Sequence, residues 1–80
     1  MNKQKFVIQT VDEKLKRFIP VDCIGAIATA EGTNIENGKT IYGLLLSNRF
    51  SGGSEWALSF PTEIQRNEKL QEVLKKVSER

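Results

Sequence analysis

The chain has no histidine, one cysteine, two prolines, one tryptophan and one tyrosine in 80 residues, and each scarcity removes a class of explanation. Without histidine, the commonest general acid and base near neutral pH is missing. A single thiol forbids an intramolecular disulfide, and without histidine a structural zinc site has no ligand set. Cys23 has no base near it in the sequence and reads as a small buried hydrophobe. No apolar run approaches the roughly 18 residues of a membrane-spanning helix. Near the start only Phe6-Val7-Ile8 is apolar before polar residues return, which is no signal-peptide pattern. None of the five asparagines opens an Asn-x-Ser/Thr acceptor, so the expectation is a soluble, cytoplasmic protein. No acidic loop has EF-hand spacing. The glycine-rich stretch Ser51-Gly52-Gly53-Ser54 precedes a strand and lacks the lysine of a phosphate loop. Neither a metal nor a cofactor is expected, and the pattern argues against an enzyme.

Charge is also scarce in net terms: 12 Lys and Arg against 10 Asp and Glu leave +2, far from the footprint of a dedicated nucleic-acid binder. It is unevenly spread, at +3 over residues 1–17, −3 over 18–65 and +2 over 66–80. A basic N-terminal hairpin and a basic C-terminal helix either meet an anion on one face or are ordinary solvated surface.

What is present is enough apolar side chain to fold. Leu, Ile, Val and Phe occupy 23 of the 80 positions, too many for a disordered chain. The length fits one domain, residues 1–80, which buries only about 60–65% of its unfolded surface. With disulfide and metal excluded, pairing with a second copy is the remaining source of stability.

The pattern predicts an α+β fold: a curled antiparallel sheet of four to five strands followed by one C-terminal amphipathic helix. Phe6–Val11 and Leu15–Val21 flank Asp12-Glu13-Lys14, a connection that forces an antiparallel hairpin. Setting Val11 opposite Leu15 places Val7 opposite Ile19 on one face and Ile8 opposite Phe18 on the other. Both faces are then apolar, so the hairpin must be covered twice. Pro20 ends the second strand, and Val21 to Ile24 form a short helical turn with Val21 and Ile24 inward. Ala26–Ala30 returns to strand; Gly25 permits either a sharp bend or a close partner. Asn37-Gly38 predicts a type I′ turn, pairing Glu36 with Lys39, Ile35 with Thr40 and Asn34 with Ile41. Thr40–Ser47 is apolar on both faces and reads as a central strand. Glu55–Phe60 alternates, with Trp56, Leu58 and Phe60 inward, as near an edge. Leu70, Val73, Leu74 and Val77 make a helical stripe capped by Asn67. A cap at Thr62 with Gln65 is the alternative, against which Ile64 falls about 130° from the stripe centre.

The last strand and the helix start, Glu55-Trp56-Ala57-Leu58-Ser59-Phe60 then Arg66 to Leu74, resemble the ending of a pleckstrin-homology domain over about a quarter of the chain. Such domains usually carry a tryptophan where Lys69 stands, and 80 residues are too few for their full barrel. The resemblance implies a truncated curled sheet with a helical plug, and no site is carried over.

Function is read from the remaining side chains. Asn48, Arg49 and Phe50 put amide, guanidinium and aromatic groups on one connection, so Arg49, Phe50, Ser51, Gly52, Gly53 and Trp56 are the candidate partner-binding residues of a small non-enzymatic protein-interaction module or regulator, which binds another protein through this connection, an exposed strand edge, or both. The plainer alternative tucks Phe50 into the core. The second reading is a weak, electrostatically driven binder of single-stranded nucleic acid, using Lys14, Lys16, Arg17, Lys39 and Arg49 with Tyr42 and Trp56 for stacking. The helix is expected on one sheet face and a second copy, making a homodimer, on the other.

Overall fold

Antiparallel strands form first along this chain and a helix last: β1 (Phe6–Thr10), β2 (Lys16–Pro20), a single 3-10 turn (Val21–Cys23), β3 (Ile24–Thr33), β4 (Thr40–Asn48), β5 (Glu55–Phe60) and α1 (Glu63–Ser78). The computed structural model describes residues 5–51 and 55–80. Gly52 and Gly53 of the candidate connection lie outside the described residues.

The strands make an α+β architecture of five antiparallel strands, but in two sheets, β1-β2 and β3-β4-β5, in place of one curled sheet. Two features separate them. Pro20 has no N–H to donate, and the chain leaves β2 through the 3-10 turn rather than continuing as a strand. On the other side, β1 meets β5 through a side chain: Gln9 Nε2 donates to the Ala57 carbonyl at 2.8 Å. Neither sheet closes into a barrel.

The β1-β2 hairpin has the register its short connection requires, with Val7 opposite Ile19 and Ile8 opposite Phe18. Its turn is held by Asp12, whose Oδ1 accepts from the backbone N–H groups of Lys14 and Leu15, each at 2.8 Å. The β3-β4 turn differs from expectation. Gly38 has φ +70°, but no other described residue has positive φ, whereas a type I′ turn needs two. Asn34 and Asn37 instead bend the chain through their side chains, accepting from Glu36 N and Lys39 N at 2.9 Å each. Asn34 N donates to the Lys39 carbonyl at 2.8 Å, so the ladder begins at Thr33 opposite Thr40. Relative to the expected pairing, the register slides by two residues. An even slide leaves every side chain on its own face, so the core is unchanged while Ile35, 99% exposed, stands in the loop.

β4 is central, as its two-sided apolar pattern predicts, and β5 pairs with it through Leu44 opposite Leu58 and Leu46 opposite Trp56. The bend near Gly25 is a bulge between Ile24 and Ile27, filled by Ser47, whose Oγ accepts from Ala26 N at 2.7 Å. A Cβ on Gly25 would lie 3.1 Å from Arg49 Cβ, closer than side-chain carbons pack comfortably, so glycine allows β3 to begin against the end of β4.

The helix starts at Glu63 under Thr62, whose Oγ1 accepts from Gln65 N at 3.2 Å. Asn67 is not the cap. It lies one turn inside, accepting from Arg66 Nε at 2.7 Å. Ile64 is helical and points out, 70% exposed, so its angle from the stripe marked a solvent-facing position and not a break. Val73 is fully buried with Leu70 and Val77 half-buried against the core, whereas Leu74, counted in the stripe, is 42% exposed. The core draws on every element: Val7, Ile19, Val21, Ile24, Leu44, Leu46, Leu58 and Val73. No described helix is long and apolar enough to cross a membrane.

Candidate functional site

Asn48 closes β4, and its Oδ1 accepts from Phe50 N at 2.8 Å, an Asx turn that lifts the following residues off the sheet. Arg49 N donates to the Cys23 carbonyl at 2.9 Å, tying this corner to the 3-10 turn. The Arg49 guanidinium carbon lies 4.7 Å from the Phe50 ring centroid, a cation–π pair, and Phe50 is 69% exposed rather than tucked into the core. Ser51 is exposed beside them. Trp56 sits apart from this pair, half-buried on the inner face of β5 and packed against the core. Arg49, Phe50 and Ser51 therefore form one exposed corner, and the structure does not bring Trp56 into it. Cys23, at the joint, is half-buried.

A second surface lies on the outer face of the hairpin. Alternation puts Phe6, Ile8 and Phe18 together there, opposite the side on which Val7 and Ile19 enter the core. Phe6 and Phe18 meet edge to face with centroids 6.1 Å apart, and Phe18 is 58% exposed. Lys16 borders the patch on the same face, across from Thr10. The two surfaces share a joint: Phe6 pairs with Pro20, which leads into the 3-10 turn, and Val21 N donates to the Lys5 carbonyl at 2.9 Å. The C-terminal end of α1 braces that joint. Arg80 Nη1 donates to the carbonyls of Val21 and Ile24 at 2.7 and 2.8 Å, and Lys76 Nζ to the Phe6 carbonyl at 2.9 Å.

The basic residues of the nucleic-acid reading are distributed over both ends of the molecule. Lys14 lies in the β1-β2 turn, Lys16 on the outer hairpin face and Arg17 on the opposite face, across from Gln9. Lys39 and Arg49 flank β4 at its two ends, about 33 Å apart for ten residues of extended chain. Tyr42 is half-buried on the inner face, with the Arg66 guanidinium 5.8 Å from its ring. These groups do not share one face.

Two described carboxyls, Asp12 and Glu72, lie below their ordinary values. Asp12 is lowered by the two backbone N–H groups it accepts from. Glu72 is pushed up by partial burial, but Lys69 and Lys76 outweigh that and hold it below the usual range. Neither has the raised value that a general acid at neutral pH requires. Among the described residues no group of three or more Cys, Asp or Glu side chains could hold a metal ion. A cavity of about 230 Å³ opens between β1 and β5, beside Gln9, Leu58 and Lys69. In this seam Gln9 Oε1 is buried without a partner.

Sequence reasoning missed the bracing role of Arg80 and Lys76, and the burial of Arg66. The hairpin patch carried a readable signal, since the register already placed Ile8 and Phe18 on the face away from Val7 and Ile19. Compared with known proteins, the chain matches no family model, no curated protein and no solved structure.

Proposed function

We propose that the chain is a small, non-enzymatic protein-interaction module of the cell interior, which docks a partner protein on the outer face of the β1-β2 hairpin and the adjoining Arg49-Phe50 corner. The observation that carries this reading is the edge-to-face pair Phe6–Phe18 standing in solvent with Ile8. Aromatic and arginine side chains supply most of the energy at protein interfaces, and a clustered exposed apolar face is the feature that separates a docking surface from scattered exposed residues. Pairing with a second copy belongs to the same proposal, because so short a chain gains most from it.

The test is affinity capture from the source cell's extract with the unaltered chain, Phe18→Ser and the double change Arg49→Ala/Phe50→Ala, each at low and high salt. The expected result is one protein retained at both salt concentrations, lost with Phe18→Ser and weakened by the double change, all three chains melting within a few degrees of each other. Retention of nucleic acid only at low salt, where phosphate contacts are strongest, would replace this reading with the electrostatic one. A large fall in melting temperature for the double change would place the corner in the core.

A further inference from the structure

Sheet edges expose unpaired backbone donors and acceptors, and folded proteins blunt them by shortness, proline, lysine, bulges or cover. In this molecule most edges are blunted. β1 and β2 are five residues each; β2 starts at Lys16 and ends at Pro20, and Lys76 caps the Phe6 carbonyl on β1. The open side of β5 receives Gln9 on the Ala57 carbonyl. β3 is protected only at its start, by the bulge after Ile24 and by Arg80 on the Ile24 carbonyl. From Ile27 to Thr33 it has no lysine, no proline and one charge, Glu31, and no described strand lies on its outer side.

The phase of the ladder fixes which groups are open. Asn34 N bonds the Lys39 carbonyl, and in an antiparallel pair such bonded positions alternate with unbonded ones. Residues 34, 32, 30 and 28 therefore turn their backbone to β4, while Ile27, Thr29, Glu31 and Thr33 turn theirs outward. We infer that this edge pairs antiparallel with the same edge of a second copy, about a two-fold axis at Thr29, joining the two three-stranded sheets into one of six strands. This names the surface for the self-pairing proposed above and does not depend on the hairpin's partner.

The occupant follows from charge and side-chain size. With Thr29 opposite its own copy, Ile27 faces Glu31 of the other chain and Ala28 faces Ala30. The two Glu31 side chains, the only charges on the open edge, are then displaced by four residues, about 13 Å along the strand, so no like charges meet. Ala28, Ala30 and Gly32 on the outer face leave nothing bulky to hold a folded copy away. Strand pairing over five residues, Ile27 to Glu31 on each chain, covers less than the roughly 800 Å² per partner of a standard stable interface, so the dimer is reversible and grows with concentration.

Light scattering from micromolar to millimolar protein should show the mass rising from 9.0 kDa towards twice that value. Thr29→Pro removes an outward N–H without touching the β4 ladder, and should stay monomeric with the same helical ellipticity. Independently, Thr29→Cys in a Cys23→Ser background should cross-link under mild oxidation, since bonded pairs stand about 5.5 Å apart, whereas Ala57→Cys on the far edge should not. A chain that stays monomeric throughout, a folded Thr29→Pro that still dimerises, or cross-linking no faster at Thr29 than at Ala57 would each overturn the pairing. If Thr29→Pro fails to fold, the cysteine comparison decides. Capture through Phe18 is unaffected by any of these results, so the docking of a partner protein on the hairpin and the pairing of two β3 edges fail separately.

Discussion

At the scale of single residues, the molecule spends its charged side chains on its own backbone and helix. Glu72 receives Lys69 Nζ at 3.1 Å and Lys76 Nζ at 3.3 Å. Because its folded pKa lies below the unfolded value, protonation favours the unfolded chain. Its contribution is present above the ordinary carboxylate value, near pH 4.3, and is lost as pH falls through the lower folded value. Melting curves from pH 7 to pH 3 should therefore fall less steeply for Glu72→Gln than for the unaltered chain. Asp12, lowered in the same direction, leaves a residual slope in the same window; parallel curves for the two proteins would show that the lysines add nothing. Some residue-level detail was legible in advance. Val7 opposite Ile19 follows from a three-residue connection, because a short turn leaves few registers. Arg66, Lys76 and Arg80 were not legible, since their partners are a ring and carbonyls 24 to 70 positions distant in the chain, and a long side chain carries no local sign of where it reaches.

At the scale of elements, two departures from sequence reasoning concern a helix start and a turn type. The apolar stripe located α1 but not its start, because in the first turn under Thr62 the apolar residue, Ile64, faces solvent and the inward one is Arg66, so that turn adds no apolar residue to the stripe. Asn37-Gly38 located a turn but not its type, because Asn34 competes for the same backbone through its own Oδ1. These differences have distinct consequences on mutation. Thr62→Ala should cost about 1 kcal/mol, which for a domain of this size is about 4–8 °C of melting temperature. Asn67→Ala removes no cap and should cost clearly less, its loss confined to the bond from Arg66. Thermal unfolding followed by helical ellipticity compares the two directly; a larger drop for Asn67→Ala would move the helix start to where the stripe alone placed it.

At the scale of the whole molecule, the α+β composition and the central place of β4 were legible, because hydrophobic period reports which faces are buried. The division into two sheets was not, since it depends on whether β1 and β5 meet through backbone or through Gln9, and period says nothing about neighbours. For the candidate site, the exposed pair Arg49-Phe50 lay in a stretch marked by composition, and the hairpin patch followed from register. The open edge of β3 was legible only in part: a strand over Ala26–Ala30 was expected, but that β3 ends its sheet depends on strand order, which hydrophobic period does not report. Two sheets raise the question of whether the hairpin melts alone. Ile19 on β2 is fully buried in a core that also contains Leu44, Leu58 and Val73, so a cavity there is felt on both sides of the seam. Ile19→Ala should cost about 2–5 kcal/mol, a large share of the roughly 5–15 kcal/mol that holds a small domain folded. The expected outcome is one transition, shifted equally when followed by Trp56 fluorescence on β5 and by ellipticity of α1, neither of which lies in the hairpin. If both probes keep their original midpoint while the hairpin face becomes open to protease, the two sheets are separate folding units and the shared core does not bind them into one.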